Sequence, residues 1–111
     1  MTARHTSLAA GRWQSMTLAE QLGNVGSEVY RARRWQTKDR ASFQNAFERM
    51  LELMDLTITD PRWRRRGELS RVREVLCDYF MGGNSYRTEP DSLQAYFDQF
   101  AVVARKIKAA A

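Results

Sequence analysis

Four arginines and a tryptophan, Arg62-Trp63-Arg64-Arg65-Arg66, fill the stretch between Pro61 and Gly67 and form the densest group of ligand-binding side chains in the chain. A guanidinium stays charged and forks onto phosphate or carboxylate, while an indole offers a flat face to a base or a cation. That combination suits nucleic acid. It equally suits a solvated turn whose arginines cap helix ends and pair with nearby acids while Trp63 packs back on the core. Arg31, Arg33, Arg34 and Arg87 make a second basic group. Trp13, Trp35, Trp63 and Tyr86 stand beside Arg12, Arg34, Arg62 and Arg87, so a basic residue meets an aromatic one at each junction. Such pairs stack on nucleotides, anchor protein interfaces or lid a helical bundle.

The other chemistry-bearing residues exclude more than they suggest. Glu48, Glu52 and Asp55 share one helix stripe and Glu74 and Asp78 another, but a carboxylate-bridged dimetal bundle needs Glu-x-x-His pairs, and the single histidine is His5. These acids are expected to pair with Arg49, Arg71 and Arg73 on exposed faces. Ser42, Ser70 and Cys77 have no histidine base in the folded region, and neither a Gly-rich phosphate cradle nor a nucleophile elbow occurs. The expectation is a non-catalytic protein without metal or cofactor. Cys77, next to Leu76 at an apolar helical position, reads as a buried inert thiol.

Length and charge set the frame for these residues. At 111 residues the chain is one domain with a single core. Its formal charge of +5 comes from 18 basic and 13 acidic residues, and the only lysines are Lys38, Lys106 and Lys108. Arginine is favoured over lysine where planar, bidentate contacts to phosphate or carboxylate are made. No apolar run approaches the roughly 20 residues of a membrane span, so no membrane partner is expected. Residues 1–16 carry Arg4, His5 and Arg12 without a continuous apolar block, which does not resemble an export signal, and the expected location is cytoplasmic.

Four helices are predicted. Thr17-Leu18-Ala19-Glu20 fits a capping box, and Leu18, Leu22, Val25, Val29 and Ala32 continue as an apolar seam. Gly23 and Gly26 flank that seam at a cost of about 1 kcal/mol each, which close approach of another helix would offset. The second helix spans about Asp39 to Thr59, with Phe43, Ala46, Phe47, Met50, Leu51, Leu53, Met54 and Ile58 on a face wide enough for burial on two sides. Pro61 stops it, and Gly67 marks the far edge of the basic loop. The third runs from about Glu68 to Met81, with Leu69, Val72, Leu76, Tyr79 and Phe80 inward and Gly82-Gly83-Asn84 after it. Thr88 is the expected N-cap of the fourth, whose seam is Leu93, Phe97, Phe100, Ala104 and Ile107. Short connections make neighbours antiparallel, so the predicted fold is all-α: an up-down-up-down four-helix bundle over 17–111 with a loose, flexible N-terminal arm over 1–16. That topology gathers Arg31, Arg33, Arg34, Lys38, Arg40 and Arg87 at one end. It gathers Arg62 to Arg66, Arg105, Lys106, Lys108 and Arg12 at the other.

Length, four helices, arginine-rich ends and an early helix closing on Tyr30-Arg31-Ala32-Arg33-Arg34-Trp35 are the features that carry a resemblance over residues 17–108. The chain resembles the small basic bacterial four-helix bundles related to the protein encoded in intervening sequences of large-subunit ribosomal RNA. That family includes the accessory variability-determinant proteins of diversity-generating retroelements. The resemblance implies a homo-oligomeric ring of bundles, commonly a pentamer, with a positive surface that binds RNA or DNA and docks a reverse transcriptase. The expected function is accordingly a nucleic-acid-binding accessory protein, RNA in preference to DNA, with Arg62, Trp63, Arg64, Arg65 and Arg66 as the first contact set and Arg31, Arg33, Arg34 and Arg87 as the second. The alternative is a helical protein-protein interaction module whose arginines meet acidic partner surfaces and whose Gly23/Gly26 face joins subunits.

Overall fold

A computed structural model describes residues 11–110. Residues 1–10, which carry Arg4, His5 and most of the expected arm, and Ala111 lie outside the described residues. Four long helices follow one another: α1 over Leu18–Trp35, α2 over Arg40–Ile58, α3 over Arg66–Met81 and α4 over Pro90–Ala110. Residues 11–13 are also helical, and no strand occurs among the described residues.

Local chemistry starts α1 where the sequence places it. The Thr17 hydroxyl accepts the Glu20 amide at 3.1 Å while the Glu20 carboxylate accepts the Thr17 amide at 2.9 Å, so the capping box is complete. That Thr17 amide hydrogen bond is the main reason the Glu20 carboxyl lies below its ordinary range. α2 is sandwiched as its wide apolar face requires, packing on α1 and, more sparsely, on α3. Phe43, Phe47 and Phe80 meet with ring centroids about 6 Å apart and bridge α2 to α3. A second tie across the same pair is Arg73, which donates to Asp55 at 2.7 Å.

α3 ends at Met81 as expected, while its start, Cys77 and the start of α4 depart from expectation by small amounts. It begins at Arg66, so Gly67 lies inside its first turn instead of ending the loop. Cys77 is half-buried, not fully enclosed, and Arg73 lies 3.8 Å from its sulfur. Thr88 does not cap α4. Its amide and carbonyl are both bonded to the Asn84 side chain, and Glu89 supplies the carbonyl that accepts the first helical bond, from Leu93. Pro90 then occupies the first helical position, where its missing N–H costs nothing.

α4 lies antiparallel on α1, and the two glycines decide how close it comes. A methyl group added at Gly26 would stand 2.6 Å from the Phe97 Cβ, and one at Gly23 would stand 3.1 Å from the Ala101 Cα. The face expected to tolerate close approach is therefore filled by this chain's own α4 and is not free for a second subunit. Leu93 and Phe97 are buried along that contact and Phe100 is half-buried, but Ile107 is 51% exposed. The expected seam thus opens toward the C-terminal end, where α4 relies chiefly on α1 for its close packing among the described residues.

Gly26→Ala should lower stability by about 1–3 kcal/mol, since the intruding methyl meets a Cβ that the helix backbone fixes. Gly67→Ala, with nothing within 4 Å, should raise it by up to about 0.5–1 kcal/mol through helix propensity. Urea midpoints for the two variants should move in opposite directions. Equal shifts would contradict the packing described here.

Candidate nucleic-acid interface

The turn between α2 and α3 is built around one buried carboxylate. Asp60 is 1% exposed, yet it accepts hydrogen bonds from the Gln21 side-chain amide at 3.0 Å, the Arg62 backbone amide at 3.1 Å and the Arg62 guanidinium at 2.7 Å. Gln21 is also fully buried. Its amide nitrogen donates to the Trp13 carbonyl and its oxygen accepts the Trp63 indole N–H, each at 2.8 Å. The Trp13 indole donates to Thr57 at 3.1 Å, and Thr57 donates back to the Leu53 carbonyl. Three chain segments are thereby stitched at one polar centre beneath the loop. The Arg62 guanidinium, hydrogen-bonded to Asp60, is the main cause holding that carboxyl well below the usual carboxylate range.

Two consequences follow for the expected contact set. Arg62 is exposed but tied down: beyond Asp60 it donates to the Met16 carbonyl at 2.7 Å, and its guanidinium lies 4.4 Å from the centroid of the Trp63 ring. It therefore holds the turn while staying exposed, and Trp63 is half-buried with its N–H donated to Gln21 and the Arg62 guanidinium over its ring. Trp13 is 4% exposed and belongs to the core, so residues 11–16 are anchored where a loose arm was expected. Arg64, Arg65 and Arg66, by contrast, are exposed and enter no ion pair among the described residues.

The second basic group divides in a similar way. Arg31 donates to the buried Glu28 at 2.7 Å, with Arg49 a further 3.7 Å partner of the same carboxylate. Arg33 joins α1 to α4 through Asp91 at 3.2 Å and Gln94 at 3.4 Å. Arg34 is exposed, 5.5 Å from the Trp35 ring centroid, and has no ion pair among the described residues. Arg87 is exposed and held at φ 54°, a left-handed conformation that costs a non-glycine residue about 1–2 kcal/mol. Its loop is fixed by Asp78, which accepts the Ser85 hydroxyl at 2.6 Å and the Ser85 and Tyr86 amides at 2.9 and 3.0 Å. The Ser85 hydroxyl bond is the leading reason that the Asp78 carboxyl is also lowered.

Between α1 and α4 runs a groove of about 650 Å³ whose lining includes Tyr30, Arg31, Arg34 and Trp35 of α1 and Asp98 and Arg105 of α4. It continues at one end into a hollow of about 300 Å³ bordered by Lys108 and Glu20, and at the other into one of about 430 Å³ bordered by Arg33 and Tyr79. Arg87 and the Arg64 to Arg66 turn border none of the three. Sequence reasoning placed Arg105 and Arg34 at opposite poles, and the register that sets Gly23 against Ala101 and Arg33 against Asp91 keeps them toward opposite ends of the groove; that reasoning gave Tyr30 and Asp98 no part in a groove, because groove lining is a tertiary property. Gln21 had a signal: it is a polar residue next to Leu22 on the apolar stripe of α1. Comparison with protein-family models, with curated proteins and with solved structures gave no match.

Asp60→Ala should cost about 2–4 kcal/mol, because the Gln21 amide and the Arg62 backbone N–H lose their buried acceptor. The pH dependence follows from the lowered carboxyl. A depressed folded-state value contributes stability that is fully present above the ordinary carboxylate value of 3.8 and is lost as pH falls below it. Urea denaturation from pH 7 to pH 3 should therefore show a steeper acid loss for the wild type than for Asp60→Ala. Parallel curves would show that the Asp60 carboxylate is not the group that titrates.

Proposed function

We propose that this protein is a non-catalytic, oligomeric nucleic-acid-binding accessory protein, acting on RNA in preference to DNA. The observation that carries the reading is the surplus of exposed guanidinium groups, Arg34, Arg64, Arg65, Arg66 and Arg87, that no acid of the described residues neutralises. Exposed arginines of this kind make phosphate contacts that position a strand without reading its sequence. The proposal takes the four antiparallel helices as an up-down-up-down bundle, and it takes the family resemblance as support for a cytoplasmic ring, a pentamer in the retroelement-associated relatives, that serves a reverse transcriptase. No described helix is long and apolar enough to cross a membrane, which is compatible with that setting.

The rival reading, a protein-protein interaction module, draws on a different observation. Val102, Val103 and Ile107 on α4 are each at least 40% exposed, as is Met81 at the end of α3, and apolar residues left open at a helix end suit an interface. Under this reading the same arginines meet acidic partner surfaces.

Filter binding of single-stranded RNA to the full chain, between about 50 and 200 mM salt, separates the two readings. The expected result is an affinity that falls steeply with salt and a double variant, Arg64→Glu with Arg65→Glu, whose salt slope is reduced by about 1 for each phosphate contact removed. Subunit count, from light scattering, should be unchanged. Loss of assembly with RNA retention intact would favour the rival, and no retention at the lowest salt would end the nucleic-acid proposal.

A further inference from the structure

Resting on the nucleic-acid reading, we infer that the seam between α1 and α4 is the track for one unpaired strand, with Tyr30 as the stacking platform and Asp98 selecting guanine. The basic turn at Arg64 to Arg66 then supplies general attraction, and base contact occurs elsewhere on the molecule.

The central groove shares Arg105 and Gly23 with the hollow at the Lys108 end and Tyr30 and Arg34 with the hollow at the Arg33 end, so the three adjoin in a row. This furrow follows α1, whose 18 residues are about 27 Å long. That reach accommodates a few nucleotides, at the low end of the site sizes seen for single strands. The furrow exists because Gly23 and Gly26 let the α4 backbone sit against α1, which leaves the larger side chains of both helices as walls.

Charge and ring placement then specify the occupant. Along the furrow stand Lys108, Arg105, Arg31, Arg34 and Arg33, against the carboxylates Glu20 and Asp98. Arg34 and Arg105 enter no ion pair among the described residues, so their guanidinium donors are free for phosphate oxygens. Tyr30 is 55% exposed and borders both the central groove and the hollow at the Arg33 end, a position from which an aromatic face meets a base without opening the core. Trp35 is half-buried, and Arg34 lies beside its ring, so it serves as wall and not as platform. A duplex keeps its bases stacked and paired, and Tyr30 could not reach one.

Asp98 gives the selection. It is exposed and, among the described residues, the one carboxylate lining the central groove, with one oxygen receiving the Gln94 amide at 3.0 Å. Gln94 is itself held by the Gly26 carbonyl at 3.0 Å, which fixes the direction in which the carboxylate is presented. An ionised carboxylate only accepts hydrogen bonds. Among unpaired bases guanine offers two adjacent N–H donors on one edge, whereas the others present a single donor group beside acceptors that an anion repels.

The test is fluorescence anisotropy of the full chain with labelled RNA octamers, one guanine-rich and one uracil-rich, with a duplex of the first, and with guanosine monophosphate as competitor. Tyr30→Ala should weaken the guanine-rich single strand by about five- to a hundred-fold, the range of one base-aromatic stack, and leave the duplex within about twofold. Asp98→Ala should retain single-strand binding and lose the guanine preference. Circular dichroism should be unchanged for both, since each side chain is exposed. If both variants bind as the wild type does while Arg64→Glu with Arg65→Glu abolishes binding, the track is wrong and the nucleic-acid reading stands. If no oligonucleotide binds, both fall. Guanosine monophosphate binding as tightly as the octamer would replace a strand by a free nucleotide and overturn the track.

Discussion

The α1 backbone at Gly26 comes so near Phe97 of α4 that an added methyl group would stand 2.6 Å from the Phe97 Cβ. Two glycines within a helix weaken it intrinsically, and the cost is offset only if another element uses the space. Here α4 does so, burying Leu93 and Phe97, and the contact fixes everything that lies along the seam. The pairing of Arg33 with Asp91 and the anchoring of Gln94 on the Gly26 carbonyl both depend on that register. A wider separation would dissolve the furrow into open surface.

At the other side of α1 the governing interaction is polar. Asp60 and Gln21 are both buried, and each is satisfied by partners from distant segments. Buried polar groups of this kind add little net stability when complete and a large penalty when broken, so they specify one arrangement of the chain above alternatives. The arrangement specified is the turn from Asp60 to Arg66. Arg62 is consumed in holding it, and Arg64, Arg65 and Arg66 are projected outward as a result. Arginines tied into the fold and arginines left exposed thus sit side by side in one short run, and their neighbours in space, not their residue type, tell them apart.

Features whose partners lie within a few residues were legible in the sequence. The Thr17 and Glu20 cap, the stop at Pro61, the apolar stripes of the four helices and the suitability of Gly23 and Gly26 for a close neighbour all follow from spacing alone. The sequence did not reveal that the neighbour is Phe97 and Ala101, that Asp60 faces Gln21 across 39 residues, or that Trp13 closes the core through Thr57. Nor did it reveal the loss of burial at Ile107, since an apolar stripe marks the side a helix could bury and cannot state how far its partner extends.

The amino-acid order by itself determined the helices, their antiparallel succession and a positive charge carried by arginine, because helix periodicity, capping and charge are local or additive. Tertiary structure alone decided which guanidinium groups are spent on acids and which remain free, and which of them line one groove. Those outcomes depend on side chains brought within about 3 Å from distant parts of the chain, and the energy of a hydrogen-bonded ion pair is set by that distance and by burial.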